Sequence, residues 1–205
     1  MTLYYVHDPM CSWCWAFRPV WKELQSKLPS TISVTSILGG LAPDSQTPMT
    51  LAMRRQIQQH WRVIQKRVPG TLFNFDFWDV CEPKRSTYPA CRAVIAAKYQ
   101  DKAFEDAMIL AIQQAYYLYA QNPSDDDVLM ACASKLGLDI NIFEHDFHSK
   151  RCKEQLMDDI HFSQRIGVEG FPSLILLEDE KYRLIHLDYN HVEPMLAQII
   201  KQKLL

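Results

Sequence analysis

The chain has 205 residues, of which 48% are hydrophobic, enough to bury a sizeable core in one domain or in a core that carries an insertion. Its formal net charge is −2, from 22 basic and 24 acidic residues, which gives no reason to expect a nucleic acid or an anionic membrane as partner. No apolar run approaches the roughly 18–20 residues of a membrane span, and the amino terminus lacks the basic region of a signal peptide, so we expect a soluble, cytoplasmic protein.

The first forty residues have the pattern of a β-α-β unit. Residues 3–6 are β-branched and aromatic, and they predict a buried strand that is halted by Pro9. Apolar residues recur at helical spacing in residues 13–28, and residues 32–37 then alternate as a second strand before Gly39-Gly40. The short connections favour a parallel pair of strands.

The pattern changes to successive amphipathic helices between about residues 50 and 166. After Gly167 it returns to strands, because residues 173–177 and 182–187 flank an acidic turn and predict a β-hairpin. The apolar spacing of residues 192–204 predicts a closing helix.

Without the helical block, the element order is β-α-β followed by β-β-α, which is the order of a minimal thioredoxin fold. We therefore predict an α/β protein with a thioredoxin-fold core and a large helical insertion. Residues 1–40 and 167–205 form the predicted core, and residues 41–166 form the predicted insertion domain.

A close pair of cysteines lies between the first strand and the first helix. Six cysteines in a chain expected in the reducing cytoplasm are too few for a disulfide framework, which favours catalysis or metal binding for such a pair. At a helix start, unpaired N–H groups and the helix dipole favour the thiolate of Cys11, the species that attacks a disulfide. We predict that Cys11 is the catalytic nucleophile and that Cys14, one turn later, resolves the mixed disulfide.

The remaining cysteines leave alternatives for this pair. A zinc site would need two further ligands from distant residues such as Cys81 and Cys91, since the sequence has no second CxxC. Those two cysteines could instead form a second redox pair, although Cys91 falls on an apolar face where a buried, inert thiol is commoner. We predict redox chemistry and no metal site, with Cys132 in the core and Cys152, in a polar stretch, exposed.

Two segments and the helical insertion between them carry a family resemblance. The segments are Asp8-Pro9-Met10-Cys11-Ser12-Trp13-Cys14-Trp15-Ala16-Phe17 and Gly167-Val168-Glu169-Gly170-Phe171-Pro172-Ser173. Together they resemble the DsbA-like thioredoxin superfamily, especially its FrnE-like cytoplasmic branch, and in architecture the likeness covers the whole chain. The resemblance implies that Pro172 is a cis-proline facing the CxxC and that Phe171 offers backbone groups to an extended substrate peptide.

Two positions depart from the pattern of that family. Many of its members carry a buried acid six residues before the first cysteine, where this chain has Tyr5. His7 or Asp8 could replace that acid as proton acceptor for Cys14, although we expect both to lie at a solvated strand end. Phe171 stands where Val or Thr is commoner, and its ring could narrow the substrate groove or make it more apolar.

Trp13 and Trp15 flank Cys14 and could form an aromatic rim for apolar segments of a substrate. We predict that Trp13 is exposed and that Trp15 is packed. Trp13, Phe171 and Pro172 are therefore the predicted substrate-binding residues.

The predicted function is thiol-disulfide exchange of the reductase or isomerase type on protein or peptide cysteines. Glutathione is a further candidate partner, and no cofactor beyond the chain's own thiols is expected. One alternative is a glutathione-dependent transferase or isomerase of the kappa or hydroxychromene-carboxylate type, which resembles this inserted architecture but commonly has serine in place of Cys11. Another is a non-catalytic module that binds clients through the helical insertion and the tryptophan rim, which would not explain a CxxC at a helix start.

Overall fold

A four-stranded mixed sheet forms the centre of the structure, a computed structural model that describes residues 1–200. The strands are β1 (Thr2–His7), β2 (Ser33–Leu38), β3 (Ser173–Glu178) and β4 (Lys181–Ile185), in the order β2-β1-β3-β4. β1 runs parallel to β2 and antiparallel to β3, and β3 pairs antiparallel with β4. The parallel first pair and the final hairpin are thus confirmed.

Nine helices are present in the part of the chain that the structure describes. They are α1 (Ser12–Lys27), α2 (Leu51–Arg67), α3 (Phe77–Val80), α4 (Tyr88–Gln100), α5 (Phe104–Tyr117), α6 (Asp126–Lys135), α7 (Ile140–His148), α8 (Lys150–Arg165) and α9 (Glu193–Ile199). The predicted helical middle is confirmed. The closing helix ends at Ile199 within the described residues, and positions 201–204 of its predicted range lie outside them.

Alternation along β1 places side chains on both faces of the sheet. Leu3 and Tyr5 pack with α1 and α9 on one face, while Tyr4 and Val6 point to the other face, where Phe162 of α8 packs. Because both faces of the two central strands are covered, β1 and β3 contain near-continuous apolar runs, whereas the edge strands β2 and β4 contain more polar residues. None of the helices within residues 1–200 is long and apolar enough to cross a membrane.

An aromatic cluster organises the helical block from α2 to α8. Trp61 of α2 is fully buried, and its ring lies 4.8–6.2 Å from those of six other aromatic residues. The same core includes Met10, Ala16 and Leu38 from the β-α-β unit. Packing of the helical block therefore fixes the position of the turn between β1 and α1, where the CxxC lies.

Candidate active site

Cys11 lies at the start of α1, as its N-cap residue. Its amide donates to the carbonyl of Asp8 at 3.0 Å, and its own carbonyl accepts from the amide of Trp15 at 3.0 Å. The thiol Sγ donates to the carbonyl oxygen of Phe171 at 3.4 Å, across 160 positions of sequence. The side chain is 6% exposed, so it reaches the surface at one edge. This position brings a sulfur, free helix N–H groups and the backbone of a second loop together.

Cys14 is fully buried one turn later in α1. Burial raises the pKa of its thiol well above the ordinary value, and the hydrogen bond and charge of the neighbouring Cys11 sulfur raise it further. The backbone of Asp8 opposes this effect only in part. Cys14 is therefore a neutral thiol, and it can attack only after losing its proton.

The loop that faces Cys11 contains a cis peptide bond between Phe171 and Pro172, as the family resemblance implies. Pro172 is buried and Phe171 is partly buried. The Phe171 ring lies directly over Gly39, because a Cβ atom built at Gly39 would overlap Cε1 and Cζ of the ring. The glycine thus makes room for the larger residue, and the ring packs against the end of β2.

Trp13 and Trp15 are both partly buried and pack against the core, so the prediction that Trp15 is packed is confirmed and the predicted exposure of Trp13 is wrong. Trp13 meets the ring of Tyr189 edge-on at 5.1 Å. Trp15 stacks on Tyr117 at 5.7 Å, and its indole N–H donates to the carbonyl of Leu72 at 3.0 Å. The chain after β4 returns over Trp13 and covers part of it, which local spacing could not indicate.

His7 and Asp8 do not lie at a solvated strand end, because both side chains are 99% or more buried. Asp8 accepts hydrogen bonds from the amides of Met10 and Leu41, each at 2.7 Å, and from the Thr87 hydroxyl at 2.6 Å. Burial raises the pKa of Asp8, and these hydrogen bonds oppose the rise. Asp8 joins the CxxC turn to the helical block.

His7 is neutral near pH 7. Burial lowers its pKa to about 3, and the positive charge of Arg18 contributes to the shift. Its Nε2 lies 2.8 Å from the hydroxyl of Ser36, and its Nδ1 has no hydrogen-bond partner among residues 1–200. Tyr5 stacks between His7 at 4.6 Å and Trp21 at 4.3 Å, and burial raises its pKa well above 10.0, so it remains a neutral phenol.

A cavity of about 190 Å³ is lined by Cys14 and not by Cys11. Its lining includes Tyr5, His7, Ser36 and Gln113 besides Cys14. An ion pair of 2.9 Å between Arg18 and Asp106 also lines it. Cys14 thus has no exposed surface but borders a cavity whose lining includes charged and polar side chains.

Sequence reasoning missed this cavity. Arg18 carries a weak signal, since it lies four residues after Cys14 on the same face of α1. Ser36 and Gln113 come from β2 and α5 and have no pattern that links them to the CxxC.

All six cysteines are free thiols, and the four outside the CxxC have separate surroundings. Cys81 donates to the carbonyl of Ala120, whereas Cys91 is fully buried with its Sγ 3.5 Å from Asp8 Oδ2. Cys132 is buried, as predicted, but Cys152 is buried as well, which corrects its predicted exposure. Cys152 lies on α8 four residues before the buried Leu156, and this spacing places it on the packed face of an otherwise polar helix. Within residues 1–200, no three His, Cys, Asp or Glu side chains cluster to hold a metal.

Residues 4–195 match the family model described as thioredoxin. A curated relative is the ClpXP adapter protein SpxH of Halalkalibacterium halodurans, 27% identical over 183 residues that cover 87% of this chain and 59% of the relative. The chain thus spans about three fifths of the length of the curated relatives it matches.

Solved structures extend the comparison. A candidate protein disulfide isomerase from Nitrosomonas europaea is 28% identical with a TM-score of 0.84, covering 98% of this chain and 95% of that one. The cytosolic disulfide reductase DsbM of Pseudomonas aeruginosa, also solved with GSH, is 23% identical with a TM-score of 0.78, covering 98% of both chains. A 2-hydroxychromene-2-carboxylate isomerase is 16% identical with a TM-score of 0.63, covering 89% of this chain and 88% of that one. At such low identity the last two likenesses show the fold alone.

Proposed function

The chain belongs to the thioredoxin family, and from that premise we propose that it is a thiol-disulfide oxidoreductase acting through Cys11 and Cys14. One observation carries the proposal: Cys11 Sγ, at the start of α1, lies 3.4 Å from the carbonyl oxygen of Phe171 next to the cis bond to Pro172, and Cys14 lies buried behind it. This arrangement supports a reactive outer sulfur and a protected inner one.

The proposed reaction has two exchange steps. The Cys11 thiolate attacks one sulfur of a substrate disulfide, and the other substrate sulfur leaves as a thiolate that takes up a proton. The Cys14 thiolate then attacks the Cys11 sulfur, and the second substrate sulfur leaves in the same way. The substrate gains two electrons and two protons, while Cys11 and Cys14 become a disulfide. Two molecules of a small thiol such as glutathione would reduce that disulfide by two further exchanges, and they would leave joined by a disulfide of their own.

The proton of Cys14 must leave before the second step. We assign its route to the 190 Å³ cavity, because that space borders both the buried thiol and His7, whose Nδ1 has no hydrogen-bond partner among residues 1–200. A pKa of about 3 makes His7 too weak a base to hold the proton at neutral pH. His7 would instead accept it at Nδ1 while Nε2 gives its proton to the Ser36 hydroxyl, and the partly exposed Ser36 would pass its own proton to solvent.

Substrate binding is assigned to Phe171, Pro172 and Trp13. The carbonyl of Phe171, which already accepts from Cys11, would face an extended substrate segment beside the reacting sulfur. The partly buried Trp13 would offer the open part of its ring to apolar side chains. We propose protein or peptide disulfides as substrates, with glutathione as a partner, in a FrnE-like cytoplasmic role of the reductase or isomerase type.

Turnover of a disulfide substrate tests this function. With insulin as substrate and glutathione as reductant, the Cys11→Ser variant should lose at least about a hundredfold in rate, because its only surface-reaching active-site sulfur is gone. Cys132→Ala is the matched control, since Cys132 is also buried but belongs to α6. Undiminished turnover by Cys11→Ser, with Cys132→Ala equally active, would refute the proposal.

An adapter role without thiol chemistry is the second candidate, favoured by the curated relatives, which are named as ClpXP adapter proteins. It corresponds to a binding module and predicts client binding that is indifferent to both cysteines. A glutathione-dependent isomerase is less well supported, because Cys11 and Cys14 are both present and the isomerase neighbour shares the fold alone. Glutathione conjugation that survives Cys14→Ser would favour the isomerase instead.

A further inference from the structure

The basic residues of this acidic chain are unevenly distributed. Residues 46–75 contain five of the 22 basic residues and none of the 24 acidic ones. All five lie on α2, and three of them, Arg54, Arg55 and Arg62, face a single cavity. Among the ion pairs that join residues 1–200, none includes these three arginines. Their charges are available to a ligand.

The cavity has a volume of about 550 Å³ and follows one side of α2. The lining residues of α2 are Leu51, Arg54, Arg55, Gln58, Arg62 and Gln65. Apart from the adjacent Arg54 and Arg55, successive members are three or four residues apart, which keeps them on one face of the helix. The fourteen steps from Leu51 to Gln65 at 1.5 Å each give a length of about 21 Å. Phe75 and Trp78 line the other side, and Asp79 is the one acidic residue that borders the space. We call this surface the α2 groove.

Two of the arginines are held in place by their neighbours. Arg54 donates from Nε to the carbonyl of Met49 at 3.2 Å. Its two terminal nitrogens take no part in this hydrogen bond and can donate to a ligand. The guanidinium of Arg62 lies 5.3 Å from the centre of the Phe75 ring. Preorganised donors of this kind lower the entropy lost when an anion binds.

We propose that the α2 groove binds an acidic peptide segment of a partner protein. Arg54 and Arg62 are two turns apart, about 12 Å along the helix. Side chains four residues apart on an extended peptide point the same way at about 13 Å, so two such carboxylates can meet both guanidinium groups in bidentate pairs. Gln58 and Gln65 offer amides to the peptide backbone.

This inference goes beyond the thiol chemistry and does not depend on it. Neither cysteine of the CxxC and no residue of the loop at Phe171 lines the α2 groove. Peptide binding should therefore survive the Cys11→Ser substitution. Failure of the turnover assay would count against the thiol chemistry alone, and failure of the peptide-binding assay would count against the α2 groove alone.

The test uses fluorescence anisotropy of the full chain with a labelled octapeptide of alternating Glu and Ser. The Lys-Ser octapeptide serves as the probe of opposite charge, and a single-stranded octanucleotide and tripolyphosphate serve as alternative anions. We expect the Glu-Ser peptide to bind most tightly, with affinity falling as salt rises from about 20 to 200 mM.

Substitutions then locate the binding site. Arg54→Glu combined with Arg62→Glu should weaken binding at least about tenfold, and Arg62→Gln alone about threefold. Arg165→Glu is the matched control, because this exposed arginine also lies over a ring, at 5.7 Å from Phe162, but on α8. Circular dichroism verifies that each variant is folded.

Three results would overturn the proposal. They are equal binding of the Glu-Ser and Lys-Ser peptides, tighter binding of the octanucleotide or tripolyphosphate, and an equal loss of affinity in the Arg165→Glu control. Loss confined to folded α2 variants, with the milder Arg62→Gln affected in the same direction, would support it.

Discussion

The two cysteines of the CxxC lie in regions with opposite properties, three residues apart. The surface side, made of Cys11, Phe171 and Pro172, has an edge open to solvent and a backbone carbonyl 3.4 Å from the sulfur. The buried side, made of Cys14, Tyr5 and His7, has no exposed sulfur and groups held neutral by burial. One helical turn therefore separates a site of attack from a site where the proton is hard to remove. Each prediction below perturbs one side and leaves the other as the reference.

The largest effect is expected on the surface side, from Gly39→Val. Any Cβ at Gly39 overlaps the Phe171 ring, so this ring, which lies beside Cys11, must move from its packed position. We expect about 2–3 kcal/mol lower free energy of unfolding in urea, and slower turnover. Adding Phe171→Val should recover more than half of the lost stability. Equal destabilisation by Gly39→Val in the Phe171→Val background would show that the ring is not the cause.

On the buried side, His7 should make stability depend on pH. Its pKa of about 3 in the folded state lies below the ordinary value of 6.5, so below pH 6.5 the unfolded chain binds more protons than the folded one. This contribution is complete above pH 6.5 and falls by up to about 1.4 kcal/mol per pH unit toward pH 3.

Urea unfolding at several pH values measures this slope. His7→Phe keeps the ring stacked on Tyr5 but cannot titrate, so it should flatten the slope between pH 6.5 and 4. His161→Gln changes an exposed histidine of α8 and serves as the control. A slope that is unchanged in His7→Phe would contradict the burial argument.

His7→Phe should also slow the second exchange step by about tenfold, because the proton of Cys14 loses its relay. Formation of the mixed disulfide on Cys11 should be unchanged. Stopped-flow fluorescence with a peptide disulfide separates the two steps, and Ser36→Ala should slow the same step to a smaller extent. If His7→Phe slowed formation of the mixed disulfide and left its resolution by Cys14 unaltered, the proposed role of His7 in the second step would be contradicted.

Trp13→Ala should give the smallest effect, about a threefold higher KM with kcat retained, because only part of the ring is open to a substrate. Tyr189→Leu removes the aromatic partner of Trp13 and keeps a bulky apolar residue, so it serves as the comparison. A fall in kcat without a change in KM would exclude a role for Trp13 in substrate binding.

The sequence was informative where the relevant signal is local. Helical spacing after Cys11 and the strand before it placed the CxxC correctly, and the hairpin at residues 173–187 was found from its alternation and its acidic turn. The cis bond before Pro172 came from the family resemblance, because a local pattern cannot indicate the isomer. The domain boundaries at residues 40 and 167 stay a prediction.

The errors arose where distant segments decide the environment. As polar residues at a strand end, His7 and Asp8 are expected to be solvated. Asp8 is instead buried, and it accepts hydrogen bonds from Leu41, which follows β2, and from Thr87, which precedes α4. Charged neighbours favour exposure of Cys152, but its spacing of four residues from Leu156 indicates the buried face of a helix. The cavity beside Cys14 depends on Gln113, which no local pattern connects to the CxxC.

Trapping of the mixed disulfide tests the central claim most directly. A peptide disulfide is mixed with the Cys11→Ser and Cys14→Ser variants, and the adducts are located by mass spectrometry under non-reducing conditions. The described geometry predicts a stable adduct on Cys11 of the Cys14→Ser variant and none on Cys14 of the Cys11→Ser variant, since that sulfur is fully buried. An adduct of equal yield on Cys14 would contradict the division between the surface side and the buried side.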